Sequence, residues 1–301
     1  MDKLEAMQIF VEVVERGKLS AAAVHLNMPL PTLSRKLAEL ESQLGTRLLA
    51  RSTRKLELTD AGLSYLQAAK QVLELVGDAE RSAKGEYLIP KGDLLMTAPL
   101  TFGRIQLLPI INEFLNKHPQ VNVKLALSDS RLDMISDHVD IAVRIGLLAN
   151  SNLIARRIGD IRWVVVASPE FLDTHGEPRT PEELSSRACV GVDHLNLSTQ
   201  WRFRHPQTGA AFNTPINARF APSTAEVGVD AAIAGVGLTQ VLHYQAAAAI
   251  KAGKLRVVLG AYEAEPLPIW LVYKEHALLP LKVRSFIDFA VPRLKQAIVF
   301  D

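Results

Sequence analysis

Residues 20–62 read SAAAVHLNMPLPTLSRKLAELESQLGTRLLARSTRKLELTDAG. Small residues fill Ala21–Leu26, which reads as a short helix with Ser20 as its N-cap. Asn27-Met28-Pro29-Leu30-Pro31 reads as a turn. Pro31 suits the first position of a further helix, where its missing N–H would have no intrahelical partner. In that helix Leu33, Leu37, Leu40 and Leu44 recur at core-stripe spacing. The other side carries Pro31, Ser34, Arg35, Ala38 and Ser42, a small and polar face able to approach a duplex closely. Gly45 ends it, and Leu48-Leu49 and Leu56-Glu57-Leu58 then frame Arg51–Arg54 as a two-stranded hairpin. A helix with hydroxyls and Arg in its first turn, followed by a cationic wing, predicts a winged helix-turn-helix that docks into a DNA groove.

Outward from this block, Leu4, Met7, Phe10 and Val14 mark an amphipathic helix over residues 4–14, stopped by Gly17. On the other side Thr59 caps a long helix from Asp60 to about Tyr87. Gly62, Leu66, Ala69, Leu73, Val76, Glu80, Ala83 and Tyr87 fall on alternating steps of three and four, a heptad seam with one polar break. Such a rod, on the order of 40 Å long, predicts a parallel or antiparallel helix pair between two chains. Packing within its own chain is the alternative.

Pro90-Lys91-Gly92 marks a boundary, giving a head over 1–59, a linker over 60–89 and a third domain over 90–301. Beyond it strands alternate with helices. Strands are expected at Asp93–Ala98, Val121–Leu127 and Val139–Ile145, with helices at Phe102–Lys117 and Arg131–Ser136. This βαβαβ order predicts a largely parallel sheet. The pattern breaks at Leu153–Gly159 and resumes with strands near Arg162–Ala167, Cys189–Val192, Trp201–Arg204, Asn217–Phe220 and Leu238–Leu242, and a helix at Thr224–Ala234. Pro268–Tyr273 and Leu281–Leu294 read as a strand and a helix that return to the first unit. The fold class is α/β overall. Two lobes are expected, lobe I at about 90–162 and 267–301 and lobe II at about 163–266. A cleft between hinged lobes binds small molecules.

Composition bounds the rest. At 301 residues, 48% hydrophobic and 22% charged, the chain supports two or three cored domains. A net charge of +2 does not by itself argue for nucleic acid, but Arg47, Arg51, Arg54 and Lys55 sit in an acid-free run from Leu44 to Leu56. Cys189 is the single cysteine, which excludes an intrachain disulfide and favours a reducing compartment. Its apolar neighbours predict a buried thiol. No signal peptide and no membrane-length apolar run is visible, so a cytoplasmic location is expected. The eight histidines are scattered without zinc-ligand spacing. Neither a nucleophile elbow nor a phosphate-binding loop is present, so neither enzyme chemistry nor a cofactor is expected.

The chain resembles the LysR-type transcriptional regulators over essentially its whole length. The resemblance rests on Ser20-Ala21-Ala22, Leu26-Asn27, Pro31–Arg35, Leu40-Glu41, Leu44-Gly45, Leu48-Leu49, Arg51, Arg54 and Leu58–Gly62. Thr97-Ala98-Pro99, Asp140–Gly146 and Gly235–Leu238 resemble its effector-domain landmarks. It implies a winged helix-turn-helix head, a dimerising linker helix and a two-lobed effector domain similar to periplasmic binding proteins. It also implies double-stranded promoter DNA as a partner, self-association as dimer or tetramer, and control by a small metabolite. Two positions depart from the family pattern. Pro29-Leu30 stands where a polar pair is usual, and Leu49 stands for a Phe. Leu30 cannot hydrogen-bond a base edge but can touch a thymine methyl.

The DNA-contact candidates are Pro31, Thr32, Ser34, Arg35, Arg51 and Arg54. Arg35 suits a guanine, and Thr32 and Ser34 suit phosphate at a helix start. Arg51 has a second reading, pairing with Glu57 to brace the hairpin. For the effector, Thr101 and Phe102 open one helix, and Ser223 and Thr224 open its counterpart in the other lobe. These termini favour an anion, so a ligand carboxylate held by Thr101 and Ser223 is one expectation; helix capping alone is the other. The resemblance adds Gly146 and the loop of Trp201 and Arg202. His243 is a further candidate, with a structural role favoured. A solute-binding protein, an enzyme and an architectural DNA binder are the rival classes.

Overall fold

The computed structural model describes residues 2–51, 56–83, 89–129, 139–148, 151, 153–192, 200–274 and 279–298. The chain divides into two compact units, residues 1–90 with 277–281, and residues 91–276 with 282–301.

The first unit opens with α1 (Lys3–Arg16), capped by the Asp2 carboxylate and closed by Gly17 in the left-handed region. Next come α2 (Leu19–His25) and α3 (Leu30–Leu44), then the antiparallel strands β1 (Leu49–Arg51) and β2 (Leu56–Leu58), then α4 (Asp60–Ala83). Phe10, Ile9 and Val13 of α1 meet Leu33, Leu37 and Leu40 of α3 in one core, with Leu48 and Leu49 bringing in the wing. The start of α4 joins this core through Tyr65 and Leu66, and the Tyr65 ring lies 5.6 Å from that of Phe10.

Three local expectations change. Pro31 is the second residue of α3 and not its first, because the helix already begins at Leu30. Ser20 lies inside α2, whose N-cap is Lys18, because the helix starts two residues earlier. Leu44 is exposed, because the stripe outruns the neighbouring core in the last turn of α3. In the linker seam Leu66 packs on the chain's own head and Ala69 is buried, whereas Leu63 and Val72, off the seam, are exposed. Tyr87 and the side chain of Ala83 lie outside the described residues.

The second unit is α/β with two five-stranded sheets. It begins with β3 (Gly92–Ala98), α5 (Leu100–Phe102), a π-helical turn at Gly103–Leu107 and α6 (Leu108–Lys117). The last three form one uninterrupted helical rod. Gly103 lets this rod lie close to the sheet, since a Cβ there would sit 2.1 Å from Leu127 Cδ2. Then follow β4 (Val121–Leu127), β5 (Ile141–Ile145) and β6 (Leu153–Ile161).

The chain crosses into lobe II as β7 (Trp163–Ala167), α7 (Pro169–His175), β8 (Ala188–Val190), β9 (Gln200–Arg204), β10 (Ala211–Pro215) and β11 (Asn217–Phe220). It continues through α8 (Ala225–Ile233), β12 (Leu238–Leu242), α9 (His243–Lys251) and β13 (Arg256–Val258). It returns to lobe I with β14 (Leu267–Lys274) and α10 (Leu281–Ala297).

Lobe I has strand order β4-β3-β5-β14-β6, and lobe II β11-β8-β12-β7-β13. The β3–β4 and β3–β5 pairs are parallel, as expected, but β14 runs antiparallel to both β5 and β6. The sheet is therefore mixed, because the return strand re-enters from the opposite end. Leu153–Gly159, where a break in the pattern is expected, belongs to the full strand β6 along β14. The expected helix at 131–136 lies outside the described residues.

Candidate nucleic-acid interface and interlobe cleft

No side chain caps the start of α3, whose N-cap is Pro29. The Leu30 and Thr32 amides of the first turn therefore meet no capping side chain, and a helix N-terminus of this kind attracts phosphate. Leu30, Pro31 and Arg35 are exposed, while Thr32 and Ser34 are half-buried. Arg35 donates to Glu39 Oε1 at 2.8 Å, one turn on. With both side chains exposed, this pair contributes little stability and yields readily to another acceptor. Glu39 went unnoticed in the sequence, although its i, i+4 spacing from Arg35 signals it.

The wing is fixed by residues that make no claim on DNA. Glu41 Oε1 accepts the amides of Leu48 and Leu49 at 2.8 and 3.1 Å, tying the wing to α3. The Thr59 hydroxyl donates to the Arg47 carbonyl at 2.7 Å and accepts the Gly62 amide at 2.9 Å, capping α4 against the strand before the wing. Gly62 is required here, since a Cβ would lie 1.9 Å from the Leu48 carbonyl oxygen. The Arg51 backbone pairs with Leu56. Its side chain, and all of Arg54, lie outside the described residues, so the pairing of Arg51 with Glu57 does too.

In the second unit, the start of the lobe I rod faces α8 and α9 of lobe II. Arg104 Nε and Nη2 both reach Glu226 Oε1 at 2.8 Å, an ion pair between the lobes. The Phe102 ring meets Tyr244 edge-on at 5.7 Å. Burial pushes the Tyr244 phenol up, and the nearby Asp129 carboxylate adds to this. Asp129 Oδ1 also accepts the Leu100 amide at 3.0 Å, so a resident carboxylate already occupies the first amide of the rod.

The eight effector candidates separate. Thr101 and Phe102 are buried at this corner. Phe102 and His243 line an apolar cavity of about 230 Å³ with Ile161, Tyr244 and Ile269. The His243 amide donates to the Arg162 carbonyl at 2.9 Å. Thr224 is the N-cap of α8 without a side-chain hydrogen bond, and Ser223 beside it is exposed. Gly146 is locked: its amide donates to Pro268 and its carbonyl accepts from Trp270 Nε1 at 3.0 Å. Trp201 packs into the lobe II core with Phe203 and Leu238. Arg202, its strand neighbour, points the other way and lines a second groove of about 720 Å³. Among the described residues no group of His, Cys, Asp or Glu is arranged to hold a metal, and no helix is long and apolar enough to cross a membrane.

Comparison with known proteins agrees with both halves. The family profile described as "Bacterial regulatory helix-turn-helix protein, lysR family" matches residues 4–63, and that described as "LysR substrate binding domain" matches residues 90–295. The chain is 33% identical over 297 residues to the uncharacterized HTH-type transcriptional regulator YhjC of Escherichia coli, covering 98% of this chain and 99% of that one. It is 32% identical over 291 residues to the HTH-type transcriptional regulator CrgA of Neisseria meningitidis, with 96% of each covered. The solved structure of CrgA matches with a TM-score of 0.62 over 96% of this chain and 98% of that chain, at 32% identity. Full-length AphB, a virulence activator of Vibrio cholerae, matches with a TM-score of 0.61 at 28% identity over 96% and 98%.

Proposed function

Since the chain belongs to the LysR family of helix-turn-helix transcriptional regulators, we propose that it grips promoter DNA through α3 and the wing and answers to a small molecule held between its lobes. The observation that carries the DNA half is the exposed, uncapped first turn of α3 with Arg35 one turn further along. Arg35 reads a guanine, Thr32 and Ser34 hold phosphate, and Arg51 and Arg54 contact phosphate or the minor groove. Leu30 contributes an apolar contact to a thymine methyl.

The effector half is supported by the Arg104–Glu226 pair, which joins groups that separate if the lobes open. A ligand that favours one lobe angle shifts the population of that state by its differential affinity. In the proposed mechanism the lobe angle resets the spacing of two heads in a dimer or tetramer paired along α4, in the cytoplasm. Exposed Leu63 and Val72 supply apolar surface for that pairing. The winged head argues against a solute-binding protein, and the sequence offers no nucleophile–base or metal constellation for an enzyme.

The test is a footprint on the intergenic DNA upstream of the protein's own gene, titrated with salt. Protection over several helical turns, with affinity falling steeply as salt rises, is the expected result. Absence of protection at low salt, there and on duplexes selected from a random pool, would remove the regulator reading.

A further inference from the structure

The corner where the two helix termini meet is poor ground for an anion. Its first amide is held by Asp129, and its cation Arg104 is already paired with Glu226. Guanidinium groups without an ion pair among the described residues lie instead on the β9–β10 hairpin. Alternation along β9 sends Trp201 and Phe203 into the lobe II core and leaves Arg202 and Arg204 together on the outer face. Their cross-strand partners are Asn213 and Ala211, so the hairpin face carries no acid opposite them.

The Arg204 guanidinium is pre-positioned: its Nε donates to the Gly209 carbonyl at 3.0 Å in the hairpin turn. Gly209 is the residue this needs. It sits at φ 70°, and a Cβ there would crowd Arg204 Nη2 at 3.0 Å. Arg202 has no ion pair among the described residues. Across the groove stands Arg157 of β6, steadied by Asp160 at 2.5 Å. Glu265 is the one acid among the described residues lining the space. Half-buried Trp163 and Pro268, with exposed Leu147, supply apolar walls.

We propose that this groove of about 720 Å³ binds a small molecule with a flat apolar body and one oxyanion, carboxylate or phosphate, gripped by Arg202 and Arg204. Paired guanidinium groups match the oxygens of such an anion through charge-assisted hydrogen bonds. The apolar body lies against Trp163 and Pro268. The ligand then touches β6 of lobe I and the hairpin of lobe II together. The site is thus a narrower version of the effector reading and rests on it for its regulatory meaning, but not for binding itself.

The experiment is thermal melting of the full chain with benzoate, phenyl phosphate and neutral benzamide, each at matched ionic strength. Benzoate or phenyl phosphate should raise the melting temperature by mass action while benzamide does not, and whichever acts more strongly identifies the oxyanion. The R202A/R204A double variant changes two exposed side chains and should weaken the active anion by about tenfold or more. Arg256→Ala, which breaks an exposed pair with Glu177 elsewhere in lobe II, should keep the full response. A wild-type response no larger than that to sodium chloride, an equal response to benzamide, or an undiminished response in the double variant would each overturn the proposal. A protein that binds the anion but protects no DNA would instead sink the regulator reading and leave this site standing.

Discussion

Arg35 meets Glu39 on an exposed helix face, so any base it recognises has to displace a carboxylate first. Arg35→Ala should still cost about 1–3 kcal/mol of DNA affinity and relax preference at one base position, measured by competition among duplexes. A loss spread evenly over all sequences would make Arg35 a phosphate contact. For Leu30, replacing each thymine of a bound site in turn by deoxyuridine removes only the methyl group. One position should weaken the wild type and leave Leu30→Gln indifferent; if no position separates the two proteins, Leu30 touches no methyl. Cys189 belongs at this scale as well. Burial pushes its thiol up to about 12. The thiolate is the reactive form, so iodoacetamide at neutral pH should label the unfolded chain and spare the native one. These residues were unequally legible beforehand. Glycine stops, the α3 stripe and the buried Cys189 follow from local pattern. Trp201 did not, although the alternation of Gln200–Arg204 already sets its two aromatic side chains opposite its two arginines.

Among the elements, the wing is tied to α3 by Glu41 as well as paired through its own short strands. Glu41→Ala leaves the Leu48 and Leu49 amides without an acceptor, at a cost of about 1–3 kcal/mol. Hydrogen exchange at those two amides should quicken; unchanged protection would show that the wing holds itself. In lobe I, Glu113 ties α6 to α10. It accepts from Arg293 at 3.0 and 3.1 Å and from Lys117 at 3.1 Å, and these bonds pull its carboxyl from 4.5 down to about 2. The folded value is the lower one, so the stabilisation is complete above about pH 4.5 and fades as pH falls towards 2. The melting difference between wild type and Glu113→Gln should be constant from neutral pH to about 5 and shrink below that. A difference that grows on acidification would contradict this. Elements without strong periodicity escaped the sequence. The alanine-rich run of α9 has almost no apolar stripe, and β6 places Arg156 and Arg157 side by side on an exposed edge strand, which disguises it as a loop.

For the whole molecule, the order of elements was readable because head, long helix and α/β half differ in period. The direction of the return was not: whether β14 enters parallel or antiparallel depends on contacts far apart in sequence. Nor could spacing alone tell that the cleft corner is occupied by the chain's own carboxylates while two guanidinium groups without an ion pair among the described residues lie on a hairpin. One further property follows from the ties around Leu48. Its amide is held through Glu41, its carbonyl accepts the Thr59 amide at 3.1 Å, and Gly62 rests against that carbonyl. Tyr65 and Leu66 extend the same core, Ala69 is buried one turn further on, and Lys70 pairs with Glu15 at 2.6 Å. The DNA reader is therefore not severable at the end of its wing. A chimera joining this head to a foreign sensor should be spliced beyond Lys70, because a junction between β2 and α4 would transplant the reading surface without the turns of α4 that hold it together.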